Sequence, residues 1–200
     1  GKMKSREGTA VDADDLMEEM ARTAKSISEE LGKLDGMSTN DKTDLYNVIG
    51  MGALKYFMLK VDPKKSMVFN PEESVDFTGN TGPFIQYTHA RICSILSNVD
   101  EKIGAIDLML AMEPCEKMLI KLLDDYPRII KEAGAKYSPS MIANYAYELV
   151  KGYNHFYQTV PILKVGDENI LNFRIVLSRK VKEVIASAMQ LLGVKMPERM

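Results

Sequence analysis

An aromatic ring and a guanidinium lie one helical turn apart at Tyr87 and Arg91, within the segment Gln-Tyr-Thr-His-Ala-Arg at residues 86–91. Side chains four residues apart share one face of a helix, so both groups are expected to point the same way. A tyrosine ring stacks on unpaired bases and a guanidinium pairs with phosphate, a combination that suits single-stranded nucleic acid. A solvated polar face is the alternative, and the spacing by itself slightly favours that alternative.

A second set of candidate side chains follows from the pattern of residues 139–157. One apolar stripe predicts a buried face, formed by Ile142, Ala146, Leu149, Tyr153 and Phe156. A neighbouring stripe holds Tyr147, Val150, Asn154 and Tyr157. It fits either packing against another helix or an aromatic platform whose amide reads a base edge. Packing is favoured for Val150, and the two interpretations are equal for Asn154 and Tyr157.

Groups for catalysis or metal binding are sparse in this sequence. Cys93 and Cys115 have no metal-ligand spacing and are expected to be reduced thiols of a cytoplasmic protein. His89 lies on an apolar stripe, where a histidine is more often a hydrogen-bonded core residue than a ligand or a base. We therefore expect no catalytic residue and no metal site within this chain.

The charge of the chain is unevenly distributed. Its 200 residues are 46% hydrophobic and 27% charged, typical of a soluble globular protein, and no apolar run approaches the roughly 20 residues that span a bilayer. The net charge of −2 argues mildly against nucleic-acid binding. Residues 12–44, however, hold ten acidic and four basic side chains, whereas residues 174–200 hold six basic and two acidic ones. The basic end, which includes Arg174, Arg179 and Lys182, could face RNA.

Apolar periodicity and capping signals predict a chain that is helical nearly throughout. Helices are expected at residues 12–31, 38–60, 83–99, 113–125, 126–134, 138–157 and 170–192. Residues 61–82 are expected to be irregular, with a short strand or extended segment at 67–69. Gly50 and Gly52 predict close packing against a neighbouring helix, and Gly193 is a stop signal. The predicted fold is all-α, a helical bundle preceded by a smaller helical connector.

Four separated motifs resemble the carboxy-terminal part of arginyl-tRNA synthetase, a class I enzyme that loads arginine onto its tRNA. They are the segment at 86–91, Pro-Glu-Arg-Met at 197–200, Gly-Met-Gly-Ala-Leu-Lys-Tyr at 50–56 and Tyr-Ala-Tyr-Glu-Leu-Val-Lys-Gly-Tyr-Asn-His-Phe-Tyr at 145–157. The resemblance covers essentially the whole chain in the same order. It implies the end of a catalytic region and a helical connector at residues 1–83, followed by a DALR-type anticodon-binding domain at residues 84–200.

The resemblance also implies a partner and its contacts. It implies that Tyr87, Arg91, Asn154, Tyr157 and Met200 lie near the anticodon loop of tRNA(Arg). By itself, a chain end such as Met200 would be dismissed as frayed.

The first residues resemble a second class I feature. Gly-Lys-Met-Lys-Ser-Arg-Glu-Gly-Thr at residues 1–9 is similar to the Lys-Met-Ser-Lys-Ser loop, whose cations stabilise the phosphates of ATP during adenylate formation. Lys2 matches the first lysine, whereas Lys4 replaces the serine and Ser5 replaces the second lysine. The resemblance thus implies ATP contacts from Lys2, Lys4 and Arg6, and either of the latter two would act for the missing lysine. A polar terminus with three cations is the alternative.

The adenylate-forming domain of the family has no counterpart in this sequence, which lacks a His-Ile-Gly-His-type motif and alternating strands and helices. We therefore interpret the chain as a carboxy-terminal fragment that is inactive by itself and binds no cofactor. The full arginine–tRNA ligase is expected to be a cytoplasmic monomer that uses arginine, tRNA(Arg) and ATP with Mg. A free-standing tRNA-binding or regulatory module without catalysis is the alternative, and a protein-binding helical scaffold ranks third.

Overall fold

The computed structural model describes residues 12–30, 34, 36–99, 104–107 and 109–200. Over these residues the chain forms seven helices and no strand, so the predicted all-α class is confirmed. In chain order the helices are α1 (Ala13–Glu30), α2 (Thr39–Leu59), α3 (Pro71–Val75), α4 (Gly82–Leu96), α5 (Pro114–Lys136), α6 (Pro139–Thr159) and α7 (Glu168–Leu191). None of these helices is long and apolar enough to cross a membrane.

Side-chain caps fix where the helices near the site begin. Before α2, the hydroxyl of Ser38 accepts from the Asp41 backbone N–H at 3.2 Å and donates to the Asp41 carboxylate at 2.7 Å. Before α4, the hydroxyl of Thr81 accepts from the Phe84 N–H at 3.2 Å. Pro83 occupies the first turn of α4, where its missing N–H costs nothing. Both predicted helix starts are therefore confirmed.

Helix α5 corrects the prediction of two helices at residues 113–125 and 126–134. It runs without interruption from Pro114 to Lys136 and includes Pro127. A proline inside a helix removes one hydrogen bond and crowds the preceding turn. Here Tyr126 is buried beside it, with its ring stacked on that of Tyr145 at 5.2 Å and its hydroxyl 2.9 Å from the Ser187 hydroxyl. This packing against α6 and α7 holds the helix continuous through the proline.

The segment expected to be irregular contains one short helix. Asn70 caps α3 by accepting from the Glu72 N–H at 3.1 Å, and buried Val75 joins the core below it. Residues 67–69 form no regular element.

The helices enclose two apolar cores. The larger core lies among α4, α5, α6 and α7 and also takes Tyr56 from α2. The smaller core lies among α1, α2 and α3. Helix α2 contributes to both, so it joins the two parts of the molecule.

Glycines allow the backbone of α2 to lie in direct contact with the backbones of α1 and α4. A Cβ atom at Gly50 would lie 2.8 Å from the carbonyl carbon of Met20 in α1. A Cβ atom at Gly82, at the start of α4, would lie 2.8 Å from the carbonyl carbon of Gly52 in α2. The predicted close packing at Gly50 and Gly52 is therefore confirmed, and it sets the distance between α2 and α4.

The charge pattern had indicated that Arg174 belongs to a basic end that faces RNA. The structure instead buries this residue. The residue is 7% exposed, and its Nε donates to the Glu116 carboxylate at 2.7 Å. Its Nη1 donates to the Pro161 carbonyl at 2.8 Å. The other oxygen of Glu116 accepts from the Glu113 N–H at 2.7 Å and so caps α5. Helical spacing within α7 cannot reveal an acidic partner supplied by a different helix.

Candidate nucleic-acid interface

The end of α7 redirects the chain toward α4. Gly193 has a φ of +68°, the left-handed conformation that glycine adopts most easily, and the Val194 N–H donates to the Met189 carbonyl at 2.9 Å. The predicted stop signal is confirmed. The residues beyond it, 193–200, are called the C-terminal tail.

Three side chains hold the C-terminal tail through its carbonyl groups. The Lys55 ammonium donates to the Gly193 carbonyl at 2.7 Å. The Gln86 amide donates to the Lys195 carbonyl at 2.8 Å, and His89 Nδ1 lies 2.9 Å from the Pro197 carbonyl. A carbonyl oxygen only accepts, so Nδ1 of His89 carries the hydrogen. The tail is therefore held along α2 and α4 and is not frayed, as a chain end considered by itself would be expected to be.

An open pocket of about 570 Å³ lies between α4, the end of α6 and the C-terminal tail. Tyr87, Arg91, Tyr157 and Met200, four of the five predicted contacts, line it. Ser94 and Arg199 line it as well. The structure thus brings two rings, a guanidinium and the last side chain of the chain around one space.

Arg91 is held in a fixed position within this pocket. Its guanidinium carbon lies 4.9 Å from the centroid of the Tyr87 ring and 5.2 Å from that of the Tyr157 ring. Its Nη1 donates to Oδ1 of Asn154 at 2.8 Å. Stacking on aromatic faces and one hydrogen bond orient the group while leaving other N–H donors for a ligand.

Asn154 lies behind Arg91, half-buried between α6 and α4. Its amide nitrogen donates to the Thr88 hydroxyl at 3.1 Å, and that hydroxyl donates to the Phe84 carbonyl at 3.0 Å. The amide oxygen and one amide hydrogen are thus engaged by protein groups. The geometry is that of a residue that orients Arg91.

Residues that precede α4 also surround the pocket, which sequence reasoning missed, and Met37, just before α2, lines it. The Phe77 ring, which follows α3, meets the Tyr87 ring edge-on with centroids 6.2 Å apart. Met200 packs against the smaller core formed by α1, α2 and α3. Phe77 lies in a segment without periodicity, so its sequence position carried no signal of this contact.

The charge at the pocket comes from arginine. Arg91 and Arg199 line it together with a single acidic side chain, Glu198. Burial lowers the pKa of His89, against a smaller opposite effect of its hydrogen bond to Pro197, and burial raises the pKa of the Cys93 thiol. Both groups are therefore uncharged at neutral pH. The pocket offers flat rings and two guanidinium groups, which suit an anionic ligand with aromatic groups.

Three cations near the start of the chain were predicted to contact the phosphates of ATP. Lys2, Lys4 and Arg6 lie outside the described residues, and their role stays a prediction. Elsewhere along the described chain, no cluster of three or more His, Cys, Asp or Glu side chains could hold a metal ion.

Comparison with known proteins defines the class of this chain. Residues 85–200 match the family model described as the DALR anticodon binding domain, and the chain belongs to that family. Over all 200 of its residues it is 60% identical to an arginine–tRNA ligase of Flavobacterium psychrophilum and covers 33% of that protein. It is 54% identical to the corresponding ligase of Parabacteroides distasonis, of which it covers 34%. The chain thus spans about a third of the length of these relatives.

Solved structures agree with this assignment. The fold matches Thermus thermophilus arginyl-tRNA synthetase with a TM-score of 0.88 and 33% identity, covering 96% of this chain and 32% of that one. It matches the arginyl-tRNA synthetase of Plasmodium falciparum with a TM-score of 0.82 over 95% of this chain and 34% of that one, at 24% identity, which supports the fold only. The predicted relationship to arginyl-tRNA synthetases is confirmed.

Proposed function

We propose that the pocket between α4, α6 and the C-terminal tail binds unpaired nucleotides of the anticodon loop of tRNA(Arg). One observation carries the proposal: Arg91 is held against the rings of Tyr87 and Tyr157 in an open pocket that Met200 also lines. Unpaired bases are recognised by stacking on such rings, and a guanidinium edge supplies donors to phosphate or to a base. Membership of the anticodon-binding family supports the same assignment.

The five predicted residues then have different tasks. Tyr87 and Tyr157 provide stacking surfaces, and Arg91 provides positive charge for the phosphate groups of the RNA. Met200 supplies an apolar side chain to the lining of the pocket. Asn154 acts through Arg91, because its amide is engaged by Arg91 and Thr88.

We infer that this RNA-binding pocket belongs to a longer cytoplasmic protein that joins arginine to tRNA(Arg) with ATP. The support is the name of the relatives, of which this chain covers about a third. In that protein, residues 84–200 form the anticodon-binding domain and residues 1–83 link it to the catalytic region. Arginine binds outside the described residues, and Lys2, Lys4 and Arg6 face the phosphates of ATP. The longer protein acts as a monomer, and the 200-residue chain alone does not form arginyl-tRNA.

Replacement of Tyr87 tests the proposed pocket. Tyr87→Ala removes one stacking surface, and stacking contributes about 1–3 kcal/mol per base, so affinity for a tRNA(Arg) anticodon stem-loop should fall roughly tenfold. Deletion of Met200 should weaken binding in the same assay while the fold persists. Fluorescence anisotropy with a labelled stem-loop measures the affinity, and circular dichroism checks the fold.

Tyr137→Ala is the matched control, because Tyr137 is 89% exposed at the end of α5 and does not line the pocket. Its affinity should equal that of the parent chain. Equal affinities of the parent and Tyr87→Ala would contradict the site. Affinity that does not weaken between two salt concentrations would contradict RNA binding through phosphates.

A further inference from the structure

Gln86 is the most deeply buried polar side chain next to the C-terminal tail. It is 0% exposed, and its Nε2 donates to two carbonyls, that of Val48 in α2 at 3.1 Å and that of Lys195 in the tail at 2.8 Å. Its Oε1 is buried without a hydrogen-bond partner among the described residues. Burial of an amide is unfavourable unless it is hydrogen-bonded, so the two donated bonds define what this side chain does. It joins α4, α2 and the tail at one point.

The backbone of α2 leaves room for this amide. A Cβ atom at Gly52 would collide with the amide group of Gln86. A side chain at residue 52 must therefore shift the Gln86 amide relative to the two carbonyls. Gly52 and Gln86 form one joint, and the tail depends on both.

The joint lies next to the pocket but outside it. Gln86 precedes Tyr87 in α4, yet among the described residues it is not one of those that line the pocket. Between Lys195 and the chain end, one more side chain among the described residues holds the tail, since His89 donates to the Pro197 carbonyl. The side chain of Met200 then packs on the smaller core and faces the pocket. Gln86 does not line the pocket itself, whereas the tail that it holds does.

We propose that Gln86 is a positioning residue: held over Gly52, it fixes the C-terminal tail and thereby places Met200 at the wall of the pocket. The placement of Met200 is a property of the free chain. Its consequence for RNA affinity rests on the function proposed above.

Methionine methyl NMR of the free 200-residue chain tests the placement. With ¹³C-methyl methionine, the Met200 signal is identified as the one that disappears when Met200 is deleted. In Gln86→Leu and in Gly52→Ala, this signal should move to the position of a solvent-exposed methionine. The signal of Met189, which is 0% exposed in the bundle core, should stay in place.

Two controls separate positioning from general loss of packing. Gly134→Ala adds the same methyl group to a helix where a Cβ atom would meet nothing within 4 Å. Tyr153→Phe removes a buried hydrogen bond of 3.1 Å to Ser178, away from the tail. Both should leave the Met200 signal where it is in the parent. An unmoved Met200 signal in Gln86→Leu or in Gly52→Ala would overturn the proposal, and so would a shift of the same size in the controls.

RNA affinity then tests whether Gln86 acts through Met200. Gln86→Leu should weaken stem-loop binding about as much as deletion of Met200 does. The affinity of the double variant should be no lower than that of either single variant. Additive losses in the double variant would overturn action through the tail. A released Met200 signal with unchanged RNA affinity would leave the positioning role intact and contradict the assignment of Met200 to the RNA site, so the two proposals fail separately.

Discussion

In the proposed RNA site, some side chains contact the nucleotides and others orient the contacting groups. Tyr87 and Arg91 lie one turn apart in α4, and the fold adds Tyr157 and Asn154 from α6. Arg91 carries the charge, whereas Asn154 is neutral and engaged by Arg91 and Thr88. Replacing Arg91 and replacing Asn154 should therefore change different properties of RNA binding.

Arg91→Gln should reduce the salt dependence of binding. Each phosphate neutralised on a single strand contributes about 0.7 to the slope of log K against log salt, so the slope should decrease by about that amount. Asn154→Ala keeps the charge and should weaken affinity by roughly ten- to a hundredfold, the scale of one hydrogen bond to a charged group, with an unchanged slope. Anisotropy titrations at several salt concentrations measure both quantities.

Lys180→Gln is the control for lost charge, because Lys180 is exposed on α7 and paired with Glu183 at 2.7 Å. For Lys180→Gln, the slope of log K against log salt should match that of the parent. If Asn154→Ala lowered the slope as much as Arg91→Gln, the distinction between orienting and contacting residues would be wrong.

Among the elements, helix α4 and the C-terminal tail depend on each other. Helix α4 faces the pocket with Tyr87 and Arg91, and it faces the tail with Gln86 and His89. The prediction that His89 is a hydrogen-bonded core residue is confirmed by its burial and its bond to Pro197. The same burial makes this contact sensitive to pH.

The stability of the chain should fall as the pH drops below about 6.5, the ordinary pKa of histidine, because burial lowers the pKa of His89 in the folded state. In this window the unfolded chain binds a proton that the folded chain excludes, so protonation favours unfolding. Nearby Lys182 lowers the pKa further, while Glu198 opposes it. The stabilisation is fully present above the ordinary pKa and is lost as the pH falls through the lowered one.

Urea denaturation from about pH 7.5 to about pH 5.5 measures this effect. His89→Gln should show a shallower loss of unfolding free energy than the parent. His155→Gln removes the other histidine, which is exposed, and should keep the slope of the parent. Parallel curves for His89→Gln and the parent would show that His89 is not the titrating group.

At the scale of the whole molecule, helix α2 and the ion pair of Arg174 with Glu116 each join separate parts of the fold. Helix α2 packs into both cores, and the pair of Arg174 and Glu116 connects α7, the start of α5 and the loop at Pro161. These side chains are only 8% and 2% exposed. A buried charge without its partner is costly, so this pair supports the bundle on which the pocket is built.

Arg174→Ala should lower the free energy of unfolding by about 3–5 kcal/mol, because it leaves Glu116 charged and buried without its cation. Lys180→Ala, in the same helix, breaks a pair whose side chains are 60% and 48% exposed and should cost at most about 1 kcal/mol. Urea denaturation compares the two. A loss for Arg174→Ala no larger than that for Lys180→Ala would contradict the structural role of the pair.

Local sequence determined most of the helices and part of the site. Caps at Ser38 and Thr81 and the stop at Gly193 set helix ends through bonds to near neighbours, which a sequence displays directly. The pairing of Tyr87 with Arg91 likewise follows from helical spacing. The continuity of α5 through Pro127 did not follow, because it depends on packing of Tyr126 against α6 and α7.

Only the tertiary structure decided which distant groups meet. It buried Arg174 against Glu116, placed Asn154 behind Arg91 and Phe77 beside Tyr87, and fastened the tail so that Met200 reaches the pocket. These contacts join residues far apart in the chain, and their energies depend on which surfaces exclude water together. Periodicity records which face of a helix is apolar, but it does not record what that face will touch.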